Sequence, residues 1–145
     1  MIEKPSAEVL DKLVSDLLKT MPALQDKLLP LSDDPQITPQ VLMKEVLKFL
    51  YLVASTSKSL SPSLLTDLAW HEFILCTRLY MKFCQENFDR YIHHTPGGEK
   101  KETHRKYLQT IRLYIVIFGE PKKEIWGEMA HNEWLDAQCG TCNAN

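Results

Sequence analysis

Glycine is absent from the first 96 residues of this 145-residue chain, and its five glycines all lie from Gly97 onward. Phosphate-binding loops of P-loop proteins and of dinucleotide-binding domains need glycine, because a Cβ would keep the backbone from the phosphate. The spacing of the glycines after residue 96 matches neither of these two kinds of loop. The sequence therefore argues against a nucleotide-binding enzyme of the common kinds.

Proline residues mark the expected helix boundaries. Ser6 is predicted to cap a helix that runs to about residue 18, and Thr38-Pro39 and Ser61-Pro62 resemble an N-cap followed by a first-turn proline. Gly119 is expected to follow the end of a later helix. Apolar residues between these signals recur at helical spacing, and no strand pair stands out.

These patterns predict an all-α protein with a single compact domain of about five helices. One long central helix is expected over about 62–91, because this segment has no glycine or proline after Pro62. Residues 1–138 are assigned to the helical domain. Residues 139–145 are assigned to a cysteine-containing tail without a helical pattern.

Composition limits the classes of binding partner and the cellular compartment that we expect for this protein. Hydrophobic residues make up 44% and charged residues 25% of the chain, and its net charge of −2 gives no basic excess for nucleic acid or an anionic membrane. No apolar run approaches the roughly 20 residues that span a bilayer, and no signal peptide is recognisable. We expect a cytoplasmic protein without nucleic-acid or membrane partners, whose protein or small-molecule partner is unknown.

Histidines form the first candidate site. Asp67 and His71 are four residues apart, so the carboxylate could accept a hydrogen bond from one imidazole nitrogen and leave the other nitrogen free as a ligand or base. His93 and His94 follow near the end of the same segment. On one continuous helix His71 and His93 would lie about 33 Å apart, so they are expected to share a site only if the helix ends early or folds back.

Cys139-Gly-Thr-Cys142 forms the second candidate. Two thiolates two residues apart supply half of a tetrahedral zinc site, and the other ligands would come from histidines, Cys84 or a partner chain. A redox role is less favoured, because a thioredoxin-like motif needs a strand before it and a helix start at it. A mobile tail without function is the remaining alternative.

A longer block of residues resembles a known family. The block is Asp67-x-x-Trp70-His71, followed by Thr77, Tyr80, Cys84, Phe88 and His93-His94-x-Pro96, and it resembles the glycine-rich domain-containing protein-like family in a short stand-alone form. The resemblance implies a helical domain and draws attention to His71 and the histidine pair, without supplying a reaction. Asp89 stands where that family leads us to expect glycine, and the glycine-rich region is absent.

The leading hypothesis is a small helical module of undefined biochemical role that binds a transition metal, zinc or iron. The predicted ligands are Cys139 and Cys142 with His93 or His94, supported by His71 and Asp67. No catalytic residue is assigned, and whether the protein is an enzyme stays open. The alternative hypothesis is a protein–protein interaction module with neither a metal nor a catalytic site.

Overall fold

The computed structural model describes residues 3–95 and 98–143, with side chains as far as Cys139. Within these ranges the protein is all-α, as predicted, and forms one short 3-10 turn and eight helices rather than about five. The helices are α1 (Ala7–Thr20), α2 (Pro22–Leu28), α3 (Pro39–Ser55), α4 (Leu64–Leu75), α5 (Thr77–Phe88), α6 (Lys100–Phe118), α7 (Lys123–Trp126) and α8 (Glu128–Asn143).

Side-chain caps fix three of the helix starts. The Ser6 hydroxyl accepts from the Val9 N–H at 3.1 Å, and the Thr38 hydroxyl begins α3 in the same way, as predicted. The helix expected at Ser61-Pro62 starts two residues later. There Ser63 is the N-cap of α4.

The central helix is α3, and the prediction that 62–91 forms one long central helix is wrong. Helix α3 packs against α1, α2, α4 and α6, and is buried on nearly all sides. Its buried side chains are Pro39, Leu42, Met43, Glu45, Val46, Leu47, Phe49, Leu50, Tyr51 and Leu52. A helix surrounded in this way forms the middle of the core, and the other helices form its cover.

The segment 62–91 divides at Cys76, whose ψ of 67° interrupts the helical backbone between α4 and α5. Neither glycine nor proline marks this break. The break changes which residues are buried, so Met81 is exposed, whereas Tyr80 and Phe83 are buried.

Near the C-terminus, Gly127 separates α7 from α8 with a positive φ of 91°. The backbone of α8 then continues to Asn143, so residues 139–143 prolong a helix and do not form a separate non-helical tail. In the described part of the chain no helix is both long and apolar enough to cross a membrane.

Candidate functional site

The break at Cys76 lets α4 and α5 pack against each other and folds the following segment back over α4. On a continuous helix Trp70 and Tyr80 would be about 15 Å apart along the axis. Here the Trp70 indole N–H donates to the Tyr80 hydroxyl at 3.0 Å. The separation of about 33 Å that a straight helix would impose on the histidines therefore does not apply.

The turn after α5 is fixed by a left-handed residue and a buried tyrosine. Asp89 ends α5 with φ 56° and ψ 22°, which reverses the chain. The Tyr80 hydroxyl donates to the Ile92 carbonyl at 2.6 Å, and the Tyr80 ring lies edge-on to Tyr91. Burial raises the pKa of Tyr80 far above its ordinary value, so this hydroxyl keeps its proton and remains a donor.

The folded-back segment brings His94 onto Asp67. His94 Nε2 lies 2.7 Å from Asp67 Oδ1, and the imidazole packs against the Trp70 ring with 4.6 Å between centroids. The Asp67 side chain is 38% exposed and that of His94 is 21% exposed, so the pair lies at the protein surface, beside the buried Trp70 ring. The carboxylate predicted to contact His71, one turn along α4, contacts His94 instead because the chain folds back at this point.

The other two candidate histidines, His71 and His93, differ in their surroundings. His71 is exposed on α4, and its ring centroid is 6.2 Å from that of His94. His93 is exposed as well, but its ring packs against Tyr91 with 4.6 Å between centroids. Pro96, the last residue of the predicted histidine turn, lies outside the described residues. The structure thus brings Asp67, His71 and His94 together.

The cysteines are placed elsewhere. Cys139 is an exposed free thiol on α8, a helix that packs on α6 and α7, and the Cys142 side chain lies outside the described part. Burial raises the pKa of the Cys84 thiol, which suits an unreactive core residue. Across residues 3–95 and the described side chains from 98 on, no three or more His, Cys, Asp or Glu side chains form a metal-binding group.

A second polar cluster, buried between α3, α6 and α7, escaped the sequence analysis. Glu45 is only 1% exposed, and its Oε1 accepts from the Tyr114 hydroxyl at 2.6 Å and from the Trp126 indole N–H at 2.8 Å. Lys48 Nζ lies 3.3 Å from Glu45 Oε2 and donates to the Tyr114 hydroxyl at 3.1 Å. The sequence feature that could have revealed this cluster is the position of Glu45 on the apolar face of α3, three residues after Leu42.

Every polar contact of the Glu45 carboxylate is with a hydrogen-bond donor. A buried carboxylate is tolerated when it is paired in this way. Burial and, to a smaller extent, the nearby Glu45 carboxylate raise the pKa of Tyr114 far above its ordinary value. Tyr107 adds a further contact by donating its hydroxyl to the Trp126 carbonyl. The cluster joins three helices, and its buried polar side-chain atoms are all hydrogen-bonded within the described part of the chain, so we interpret it as structural.

An open groove of about 760 Å³ is bordered by the start of α4, the first half of α6, and α7. Its lining is mostly apolar, and its volume lies in the range of ligand pockets. The apolar lining residues are Leu31, Pro62, Leu64, Leu65, Leu68, Tyr107, Ile125 and Trp126. Lys100, His104 and Glu124 supply charged or titratable groups around it.

Comparison with known families identifies the family of this chain. The sequence profile of the UCP032817-like family matches residues 13–120, nearly three quarters of the chain. The chain belongs to this family. Its membership of the glycine-rich domain-containing protein-like family, expected from the Asp67-x-x-Trp70-His71 block, is therefore wrong. No curated protein and no solved structure matches the chain.

The extent of the match bears on the two candidate sites. Residues 13–120 contain Asp67, His71 and His94 as well as Glu45, whereas Cys139 lies outside. The family is uncharacterised, so membership assigns no activity to these residues.

Proposed function

We propose that the protein binds a divalent transition metal, zinc or iron, through His71 and His94. The observation that carries the proposal is the 2.7 Å contact between Asp67 Oδ1 and His94 Nε2 beside a second imidazole. Metal-binding histidines commonly donate their other ring N–H to a carboxylate, which fixes the tautomer and the orientation of the ring. Asp67 would serve His94 in this way, and His94 Nδ1 would be the ligand atom.

Spacing between the two rings supports a shared ion. Two imidazoles on one tetrahedral zinc ion have ring centroids about 5 Å apart, given Zn–N distances of about 2.0–2.1 Å. The centroids of His71 and His94 are 6.2 Å apart, and rotation of the exposed His71 side chain can close the difference. His93 faces Tyr91 instead, which makes it the matched control for His94.

This proposal replaces the predicted ligand set of Cys139, Cys142 and His93 or His94 with two histidines and an orienting carboxylate. The coordination positions that the two histidines leave would be available to water, a small ligand or another chain. We include a cytoplasmic location in the proposal, because the free thiols of Cys76 and Cys84 suit a reducing compartment.

Cobalt(II) titration of untagged protein tests the ligand set. Cobalt bound by imidazoles gives visible d–d bands, and cobalt bound by a thiolate adds a charge-transfer band in the near ultraviolet. We expect d–d bands alone. His71→Ala and His94→Ala should each weaken zinc binding at least about tenfold, and Asp67→Asn by about 10–100-fold, as loss of an orienting partner does.

The controls separate the alternatives. His93→Ala and the double variant Cys139→Ser, Cys142→Ser should bind zinc as the wild type does. A thiolate band that the double variant loses would instead assign the metal to the cysteines. Wild-type affinity in His94→Ala would overturn the proposal.

The groove beside α4 favours a second candidate function, recognition of a protein or small apolar molecule without any metal. Its support is the apolar lining together with the exposed Leu64. An apolar fluorescent dye should bind the native protein and be excluded by Leu65→Asp. A protein that binds this dye but no metal would favour the second function over the first.

A further inference from the structure

Several polar groups along the groove between α4, α6 and α7 already have partners within the protein. The Trp126 indole N–H donates to Glu45, and the Trp126 carbonyl accepts from the Tyr107 hydroxyl. The Ser63 hydroxyl accepts from the Thr66 N–H and donates to the Thr66 hydroxyl. Because these groups are satisfied, a molecule that lies on this part of the groove meets an apolar surface.

A second set of polar side chains along the groove has no hydrogen bond or ion pair within the described part of the chain. These side chains are Lys100, Thr103 and His104, which line the α6 side. They are three and four residues apart, so they share one face of the helix. Lys100 carries a positive charge and His104 has a ring N–H, so this side of the groove offers two groups that an anion can contact.

The same face of α6 leads from these polar side chains to the apolar floor of the groove. Tyr107 follows His104 by three residues, and its ring lies nearly parallel to that of Trp126, which is buried. From Lys100 to Tyr107 the helix rises about 10 Å. A molecule with one anionic end and an apolar chain of about this length matches the order of the groups along the groove.

We propose that the groove binds a small amphipathic carboxylate. Its anionic end contacts Lys100 and His104, and its apolar chain lies over Tyr107 and Trp126. The inference rests on the second candidate function, recognition of a molecule in this groove, and is independent of the metal. A volume of about 760 Å³ lies within the range of small-molecule pockets, which favours a small ligand over a protein partner.

Glu124 is the only acidic residue among the described residues that line the groove. It belongs to α7, so its carboxylate repels an anionic end from the α7 side and favours the α6 side. Glu124→Gln should therefore strengthen binding of a carboxylate, whereas Lys100→Gln should weaken it. Lys101→Gln is the matched control, because Lys101 has the same charge one residue along α6 but does not line the groove.

Displacement of the apolar dye tests the proposal, with decanoate, decanol and decyltrimethylammonium as competitors below their micelle-forming concentrations. Chelator and low ionic strength keep metal and salt from changing the result. We expect decanoate to bind most tightly and decyltrimethylammonium most weakly. Lys100→Gln should weaken decanoate binding about two- to fivefold, as loss of one exposed ion pair does, and leave decanol binding unchanged. Octanoate should bind roughly 15-fold more weakly than decanoate, because each buried methylene contributes about fourfold.

The outcomes separate the carboxylate from the groove itself. Equal displacement of the dye by all three ten-carbon competitors would overturn the carboxylate and leave the second candidate function standing. A protein that binds neither the dye nor decanoate would overturn both. Equal effects of Lys100→Gln and Lys101→Gln, or equal binding of octanoate and decanoate, would show that the anion responds only to surface charge and would also overturn the proposal.

Discussion

Replacing Tyr114 with phenylalanine tests whether Glu45 is a charged acceptor within the core. The change removes one oxygen and little volume, and takes away the 2.6 Å hydrogen bond to Glu45 Oε1 and the 3.1 Å hydrogen bond from Lys48. Trp126 and Lys48 keep their contacts with the carboxylate. Because hydrogen bonds to charged groups contribute about 1.5–3 kcal/mol, we expect Tyr114→Phe to lower the free energy of unfolding by that amount.

Urea unfolding monitored by circular dichroism measures this loss. With a slope of about 1–3 kcal/mol per molar urea, the midpoint should fall by about 1 M. Tyr91→Phe is the matched control, because the Tyr91 hydroxyl has no hydrogen bond within the described part of the chain, and should shift stability by less than about 0.5 kcal/mol. Equal midpoints for the two variants would refute the charged-acceptor interpretation.

Three further predictions concern the tyrosines and the turn after α5. Tyr80→Phe leaves the buried Ile92 carbonyl and an indole N–H without partners, and should cost about 2–4 kcal/mol in urea unfolding while weakening zinc binding. Asp89→Gly should be neutral or stabilising in thermal melts, whereas Asp89→Val should cost about 1–2 kcal/mol, because Asp89 has a left-handed backbone. Burial raises the pKa of Tyr107 to about 12 and that of Tyr114 further. The stability that these two protonated hydroxyls contribute is therefore fully present below the ordinary tyrosine pKa near 10, and it should be lost as the pH rises above that value. Absorbance at 295 nm would contradict this if native and urea-unfolded protein ionised together.

Local signals in the sequence identify the starts of α1 and α3, because caps and first-turn prolines act within a few residues. Ser6 and Thr38 cap helices as predicted. The break at Cys76 has no local signal, because contacts between distant residues produce it. The Phe73 ring packs edge-on against Tyr80 across the break, and a continuous helix would forbid that contact.

The same break explains how much of the candidate site could be predicted. Spacing identified Asp67, His71 and the histidine pair as residues of interest, but a straight helix kept them apart. Which of the two adjacent histidines faces Asp67 depends on the turn that Tyr80 fixes through Ile92. The position of Glu45 depends on donors from α6 and α7, which no local pattern reveals.

The buried carboxylate of Glu45 also limits when the chain can fold during synthesis. Its hydrogen bond to the Trp126 indole joins residues 81 positions apart. At about 5–20 residues per second, a ribosome needs about 4–16 s to add the chain between them. Until then α3 carries an ionised group that lacks one of its donors, and hydration of that group opposes burial. We therefore expect the core around α3 to close only after most of the chain has been made.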